Sequence, residues 1–120
     1  MNDHELDCYK FILGLVKELA EDYDAQYQHM EWFARWNLAE EIALEWIDAE
    51  GMICILESGN CVSREITAEL RKIISDFELE FKKSDNRVWT HNEMKNGEFW
   101  QMQRMRAKNL LRELNVSFDG

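Results

Sequence analysis

Hydrophobic residues recur every three or four positions along most of the chain, which is the spacing of one face of an α-helix. The pattern is most regular between residues 63 and 83, where Ser63 is placed to cap a helix. A first helix is predicted over residues 4–24, with Asn2 and Glu5 as a capping box and Asp3 as the alternative cap. The apolar stripe of the helix at 63–83 consists of Ile66, Leu70, Ile73, Ile74, Phe77 and Phe81.

A second periodic segment, over residues 28–57, predicts the longest helix, with a break near Gly51. Glu50 projects onto the middle of its apolar stripe, so without a break we expect Glu50 to be buried beside a basic partner, Arg106. A short buried strand is the alternative for residues 51–56. The stripe consists of Trp32, Trp36, Ala39, Ala43, Trp46, Ile47 and Cys54.

The C-terminal region predicts a short helical turn followed by a final helix. Thr90 and Glu93 have the spacing of a capping box, and Asn96 is expected to cap a helix over residues 97–115. The inner side of that helix is predicted to contain Phe99, Trp100, Gln103, Ala107, Leu110, Leu111 and Leu114. A basic row on another side contains Arg104, Lys108 and Arg112.

Composition supports the helical interpretation. The 120 residues include no proline, and β-branched residues are sparse. We therefore expect one all-α domain, a bundle of about four to five helices joined by short loops. The polar, acidic N-terminus and the absence of a long apolar run indicate a cytoplasmic protein without a membrane span. Cys8, Cys54 and Cys61 are expected to be free and mostly buried thiols, with a disulfide between Cys54 and Cys61 as the alternative.

Acidic charge is concentrated in the first half of the chain. Residues 1–60 contain 14 acidic and 3 basic residues, whereas residues 61–120 contain 10 acidic and 11 basic residues. An acidic surface repels nucleic acids and membranes and attracts basic partners. Solubility alone is the alternative explanation.

The chain contains none of the common catalytic or metal-binding motifs. It has no glycine-rich phosphate loop, no G-x-S-x-G elbow, no H-E-x-x-H and no C-x-x-C. We therefore expect a protein that is not an enzyme and that carries no cofactor or metal.

Carboxylates on the second helix are the main candidates for a binding site. Glu41, Glu45 and Asp48 recur at helical spacing opposite the tryptophan stripe and are expected to face solvent. Such a row provides fixed negative charge for a basic partner, whereas a merely solvated helix face is the plainer interpretation. A carboxylate-bridged metal enzyme is the third possibility, although no histidine accompanies the row. The full set of expected partner-binding residues is Glu40, Glu41, Glu45, Asp48, Asp22 and Asp24, with Trp32 or Trp36 as an aromatic anchor if one is exposed.

The same segment argues against nucleic-acid binding. Helical spacing favours a core position for Trp32, Trp36 and Trp46. Stacking on single-stranded nucleic acid requires interleaved basic residues, and residues 31–48 contain five acids and only Arg35 as a base.

The C-terminal segment resembles the ending of small bacterial immunity proteins from contact-dependent growth inhibition and related polymorphic toxin systems. The matching residues are Trp89, Trp100, Arg104, Ala107, Leu110, Leu111 and Leu114. The acidic segment NLAEEIALEWIDAEG also resembles the acidic helix of these immunity proteins. The resemblance implies a protein that binds a cognate toxin domain, often a nuclease, and blocks its active site or its approach to substrate. The alternative is a cytosolic helical adaptor or regulator that binds a different protein.

Overall fold

The computed structural model describes the backbone of residues 1–85 and 87–119, and the side chains of residues 1–85 and 87–114. Its elements are helical, and the described residues contain no strand, so the all-α prediction is confirmed. Four α-helices have 11 residues or more. The elements are α1 (Asp3–Ala20), α2 (Tyr23–His29), the 3-10 helix η1 (Trp32–Asn37), α3 (Leu38–Asp48), α4 (Glu50–Ser58), α5 (Arg64–Lys82), the 3-10 helix η2 (Arg87–Trp89), α6 (His91–Asn96) and α7 (Glu98–Asp119).

The core lies where α1 packs against α7 and α4, and where α5 packs against α3, α4 and α7. Trp46 of α3 and Trp100 of α7 are fully buried, as the apolar stripes predicted. Burying a large apolar side chain stabilises a fold by about 1.5–3 kcal/mol. Two hydrogen bonds orient side chains of the core. Trp100 Nε1 donates to the carbonyl of Val88 at 2.7 Å, and the Tyr9 hydroxyl donates to the carbonyl of Leu114 at 3.0 Å.

The helix starts follow the predicted caps in three of four cases. Asn2 and Glu5 form the capping box of α1, and the side chains of Ser63 and Thr90 cap α5 and α6. The prediction for Asn96 is wrong, because Asn96 is the last residue of α6 and α7 begins at Glu98. Its side-chain amide donates to Asn92 instead.

The boundaries of the first two predicted helices differ from the structure. The first helix ends at Ala20, after which Asp22 caps α2 by accepting a hydrogen bond from the amide of Ala25 at 2.9 Å. The second helix does not start at residue 28, because residues 32–37 form a 3-10 helix and α3 begins only at Leu38. The break expected near Gly51 is found at Ala49, and residues 51–56 are helical within α4.

Two predictions about basic side chains are wrong. Arg104 was expected in an outer basic row, but it is only 4% exposed, whereas Lys108 and Arg112 are exposed. Glu50 does not pair with Arg106. The charged partners observed are Arg71 with Glu50 and Glu57, and Arg106 with Asp76.

The guanidinium of Arg104 ties α7 to the junction between α1 and α2. Its Nε donates to the carbonyl of Glu21 at 3.2 Å and its Nη2 to Gln26 Oε1 at 2.8 Å. Gln26 in turn donates to the carbonyls of Glu18 and Leu19 at the end of α1. Carbonyls at a helix end lack partners within the helix, so this junction offers acceptors for the buried guanidinium of Arg104.

The three cysteines are free thiols. Cys8 is buried and Cys61 is partly buried, but Cys54 is exposed, contrary to its position in the predicted stripe. Within the described ranges, none of the helices is long and apolar enough to cross a membrane.

Candidate partner-binding surface

Three large aromatic side chains of η1 project into solvent. Trp32, Phe33 and Trp36, which we call the aromatic surface, are 77%, 61% and 78% exposed. The expected core position of Trp32 and Trp36 is therefore wrong. A 3-10 helix has about three residues per turn, so a projection at α-helical spacing does not apply to this segment. Exposed aromatics clustered in this way mark interaction sites on soluble proteins.

The backbone of η1 is held in place by Arg35. Its Nε donates to the carbonyl of Met30 and its Nη2 to the carbonyl of Gln28, both at 3.1 Å. The guanidinium carbon lies 5.0 Å from the centre of the Tyr27 ring, within range of a cation–π interaction. The single basic residue of this acidic segment is therefore used internally, and the exposed acid Glu31 directly precedes Trp32.

His91 of α6 holds the other end of η1. Its Nε2 lies 3.0 Å from the carbonyl oxygen of Trp36, and its Nδ1 lies 2.7 Å from the hydroxyl of Tyr23. A carbonyl oxygen can only accept, so Nε2 carries a proton and donates it. In the neutral ring, Nδ1 then accepts a hydrogen bond from the Tyr23 hydroxyl. Helices α2 and α6 are thereby joined to the backbone beneath Trp36.

Beside the aromatic surface lies an open cavity of about 430 Å³, which we call the tyrosine pocket; it is lined by Tyr23, Asp24, Tyr27, Gln28 and His91. The ring centres of Tyr23 and Tyr27 are 6.1 Å apart. His91 meets both edge-on, at 5.9 Å from Tyr23 and 6.3 Å from Tyr27. Burial, together with the neighbouring Tyr27 and Asp24, raises the pKa of the Tyr23 hydroxyl, which therefore stays protonated at neutral pH.

The expected acidic residues do not form one exposed row. Asp22, Asp24 and Asp48 are exposed, whereas Glu40 and Glu41 are partly buried. The carboxylate of Asp22 is engaged as the cap of α2. Glu41 accepts a hydrogen bond from Asn37 at 3.1 Å. Glu31, which the sequence did not select, is exposed and immediately precedes Trp32.

Glu45 is the clearest exception to the expected row. It is half-buried beside Glu18 of α1, because α1 packs against α3. Burial and the charge of Glu45 raise the pKa of Glu18 to about 8, and burial raises the pKa of Glu45. Glu18 Oε1 is buried and receives no N–H or O–H donor from the described residues, so a proton on one of the two carboxyls supplies the missing donor. The expectation that Glu45 faces solvent is therefore wrong.

Sequence reasoning did not select several contributors to the site: Tyr23, Tyr27, Gln28, Glu31, Phe33 and His91. Phe33 lies in the segment from residue 28 that was predicted to be a regular α-helix, and Tyr27 lies between the first two predicted helices. His91 is the first residue of α6. Its contact with Trp36 spans 55 positions, which no local pattern indicates.

Among residues 1–85 and 87–114, no three histidine, cysteine, aspartate or glutamate side chains are grouped to hold a metal ion. Compared with protein-family models, with curated protein sequences and with solved structures, the chain gives no match. The function of the aromatic surface and the tyrosine pocket is therefore inferred from their own residues.

Proposed function

We propose that the chain is a cytoplasmic immunity protein, an antitoxin that binds a basic toxin domain stoichiometrically and neutralises it. A nuclease domain fits this role best. The observation that carries the proposal is the aromatic surface, with Trp32 and Trp36 exposed and the exposed Glu31 immediately before Trp32.

Exposed tryptophans are effective anchors for protein partners. Tryptophan is enriched among the few residues that dominate binding energy, and burying one in a partner's pocket removes a large apolar area from water. The aromatic surface is also held before binding, because Arg35 and His91 bond to the backbone around it. A prearranged surface loses less conformational entropy when a partner binds.

The acidic charge of the first half of the chain favours a basic partner. Asp24, Glu31 and Asp48 are exposed, and the first 60 residues have 14 acids against 3 bases. Nucleases are basic where they hold phosphates, so an acidic protein can occupy the same electrostatic field. A complex formed there would block the active site or the approach of the nucleic acid.

The resemblance of the C-terminal segment to immunity proteins supports the same role. Most of its matching residues pack inside the fold, and Arg104 anchors α7 to the junction of α1 and α2. The resemblance therefore concerns the scaffold, while recognition is assigned to η1 and α2.

Co-expression tests the proposal. In toxin systems of this kind the immunity gene follows its toxin gene, so the protein encoded immediately upstream is the partner to express. We expect the chain to co-purify with that protein and to restore growth. The double variant Trp32→Ala/Trp36→Ala should bind more than about 30-fold more weakly, corresponding to the loss of about 2 kcal/mol or more.

Phe11→Ala is the matched control, because Phe11 is an exposed aromatic residue on α1. It should bind and protect like the wild type. If the upstream product does not bind, or if the double variant protects fully, the proposal is wrong. Binding to a non-toxic cytosolic protein instead would favour the adaptor role.

A further inference from the structure

We infer that the tyrosine pocket receives an arginine side chain. That this arginine belongs to a toxin domain rests on the proposed function, whereas the chemistry of the pocket stands on its own residues.

The shape of the pocket suits a flat, extended side chain. Tyr23, Tyr27 and His91 are about equally spaced, and His91 stands edge-on to both tyrosines. Their rings therefore form an open corner rather than a closed stack. An arginine has a long apolar stem and a planar guanidinium that stacks on aromatic faces, so it can fill such a corner along its length.

Asp24 favours a ligand that donates hydrogen bonds, and two of the donors that line the pocket are already engaged within the chain. The Tyr23 hydroxyl donates a hydrogen bond to Nδ1 of His91, and the Nε2–H group of His91 donates one to the carbonyl of Trp36. These two donors are therefore already in use. The exposed carboxylate of Asp24 remains at the rim and can accept two parallel hydrogen bonds from a guanidinium.

Both tyrosines already attract cations of the chain itself. The guanidinium of Arg35 lies over Tyr27, and the Lys95 ammonium lies 6.0 Å from the centre of the Tyr23 ring. Arg35 is fixed by two backbone carbonyls, but Lys95 is exposed and at the limit of cation–π range. An arginine that enters the pocket would therefore compete for the Tyr23 ring with Lys95, which is the less restrained of the two cations.

NMR titration of the free chain tests the inference without any toxin. The probe is Nα-acetyl-arginine amide, and the matched probe is the corresponding citrulline derivative, which has nearly the same shape but no charge. We expect saturable shifts of the Tyr23 and Tyr27 ring signals with arginine and much weaker shifts with citrulline. Asp24→Asn should weaken arginine binding by about two- to fivefold, and Lys95→Gln should strengthen it.

Glu31→Gln is the control variant, because it removes the same charge from an exposed position outside the pocket lining. Equal shifts with both probes, or equal binding by wild type and Asp24→Asn, would overturn the inference. These outcomes concern the pocket only. A chain that binds the arginine probe but no upstream protein would contradict the proposed function and leave the pocket assignment standing.

Discussion

His91 donates a hydrogen bond from Nε2 to the carbonyl oxygen of Trp36 at 3.0 Å, across 55 positions of sequence. The indole of Trp36 is 78% exposed, so few packing contacts restrain it, and the restraint on this residue acts through its backbone. The order of the aromatic surface therefore depends on a side chain from α6 that is itself only partly exposed.

The variant His91→Phe should loosen the aromatic surface. Phenylalanine keeps an aromatic ring beside Tyr23 and Tyr27 but removes both nitrogens, so the Trp36 carbonyl and the Tyr23 hydroxyl lose their partner. We expect the free energy of unfolding to fall by about 1–2 kcal/mol. In ¹⁹F NMR of fluorotryptophan-labelled protein, the Trp36 signal should show increased motion, while the signal of buried Trp46 stays unchanged. Unaltered relaxation of Trp36 would mean that His91 does not order this surface.

Charge reversal near the aromatic surface should slow association with a basic toxin. We expect Glu31→Lys/Glu40→Lys to lower the association rate about tenfold at low salt and to reduce its salt dependence, because electrostatic steering is lost. Stopped-flow fluorescence at low and high salt measures both effects. Glu45 is unsuited to this test, since its carboxyl lies beside Glu18.

Glu78→Lys/Glu98→Lys is the matched control, because both residues are exposed, lie on α5 and α7, and change the net charge equally. Similar slowing by both double variants would show that total charge, rather than an acidic site near η1, controls association.

Long regular helices were the predictable part of this fold. The stripe of α5 matched the core almost completely because every residue from Arg64 to Lys82 follows one helical period. Phe81 is the outer member of that stripe: it is 38% exposed and stacks on Trp89 at 4.4 Å. The inner side of α7 was predicted equally well, including buried Gln103.

The segment from residue 21 to residue 37 was not predictable in the same way. It contains two breaks between helices, after Ala20 and after His29, and a 3-10 helix, and each interrupts the helical period of the side chains that follow. The candidate site lies in this segment. Trp32 and Trp36 were expected in the core and were candidates for a binding anchor only if exposed. Their backbone is held by Arg35 and His91, which bond to backbone carbonyls, and sequence patterns do not indicate such contacts.

Arg104 and Arg112 should differ sharply in their effect on stability although both lie on α7. Burial lowers the pKa of the Arg104 guanidinium, yet its hydrogen bonds to Glu21 and Gln26 hold it inside. In Arg104→Met the stem remains and two buried acceptors lose their donor, so we expect a loss of about 1–3 kcal/mol. Arg112→Met removes an exposed charge and should change stability by less than about 0.5 kcal/mol.

Urea unfolding measures both variants. Adding Gln26→Leu to Arg104→Met tests whether unpaired acceptors cause the loss of stability, since it removes one of these acceptors. The double variant should lose less than the sum of the two single losses. Strictly additive losses would indicate that Arg104 and Gln26 do not act together.

Glu18→Gln should stabilise the fold, and increasingly so as the pH rises. The pKa of the Glu18 carboxyl is about 8 in the folded chain against an ordinary value of 4.5. Between these two pH values the folded state binds more protons than the unfolded state, so the free energy of unfolding falls as pH rises through this window. Above pH 8 the folded state must hold the ionised Glu18 carboxylate near Glu45 of α3 and Glu21 at the end of α1. Glutamine keeps the shape and cannot ionise, so the difference between variant and wild type should be small below pH 4.5 and largest above pH 8.

Glu69→Gln, at an exposed position of α5, is the control and should follow the wild-type profile. Urea unfolding across this range measures all three proteins, and parallel profiles for Glu18→Gln and wild type would show that the two carboxyls do not share a proton in the folded chain.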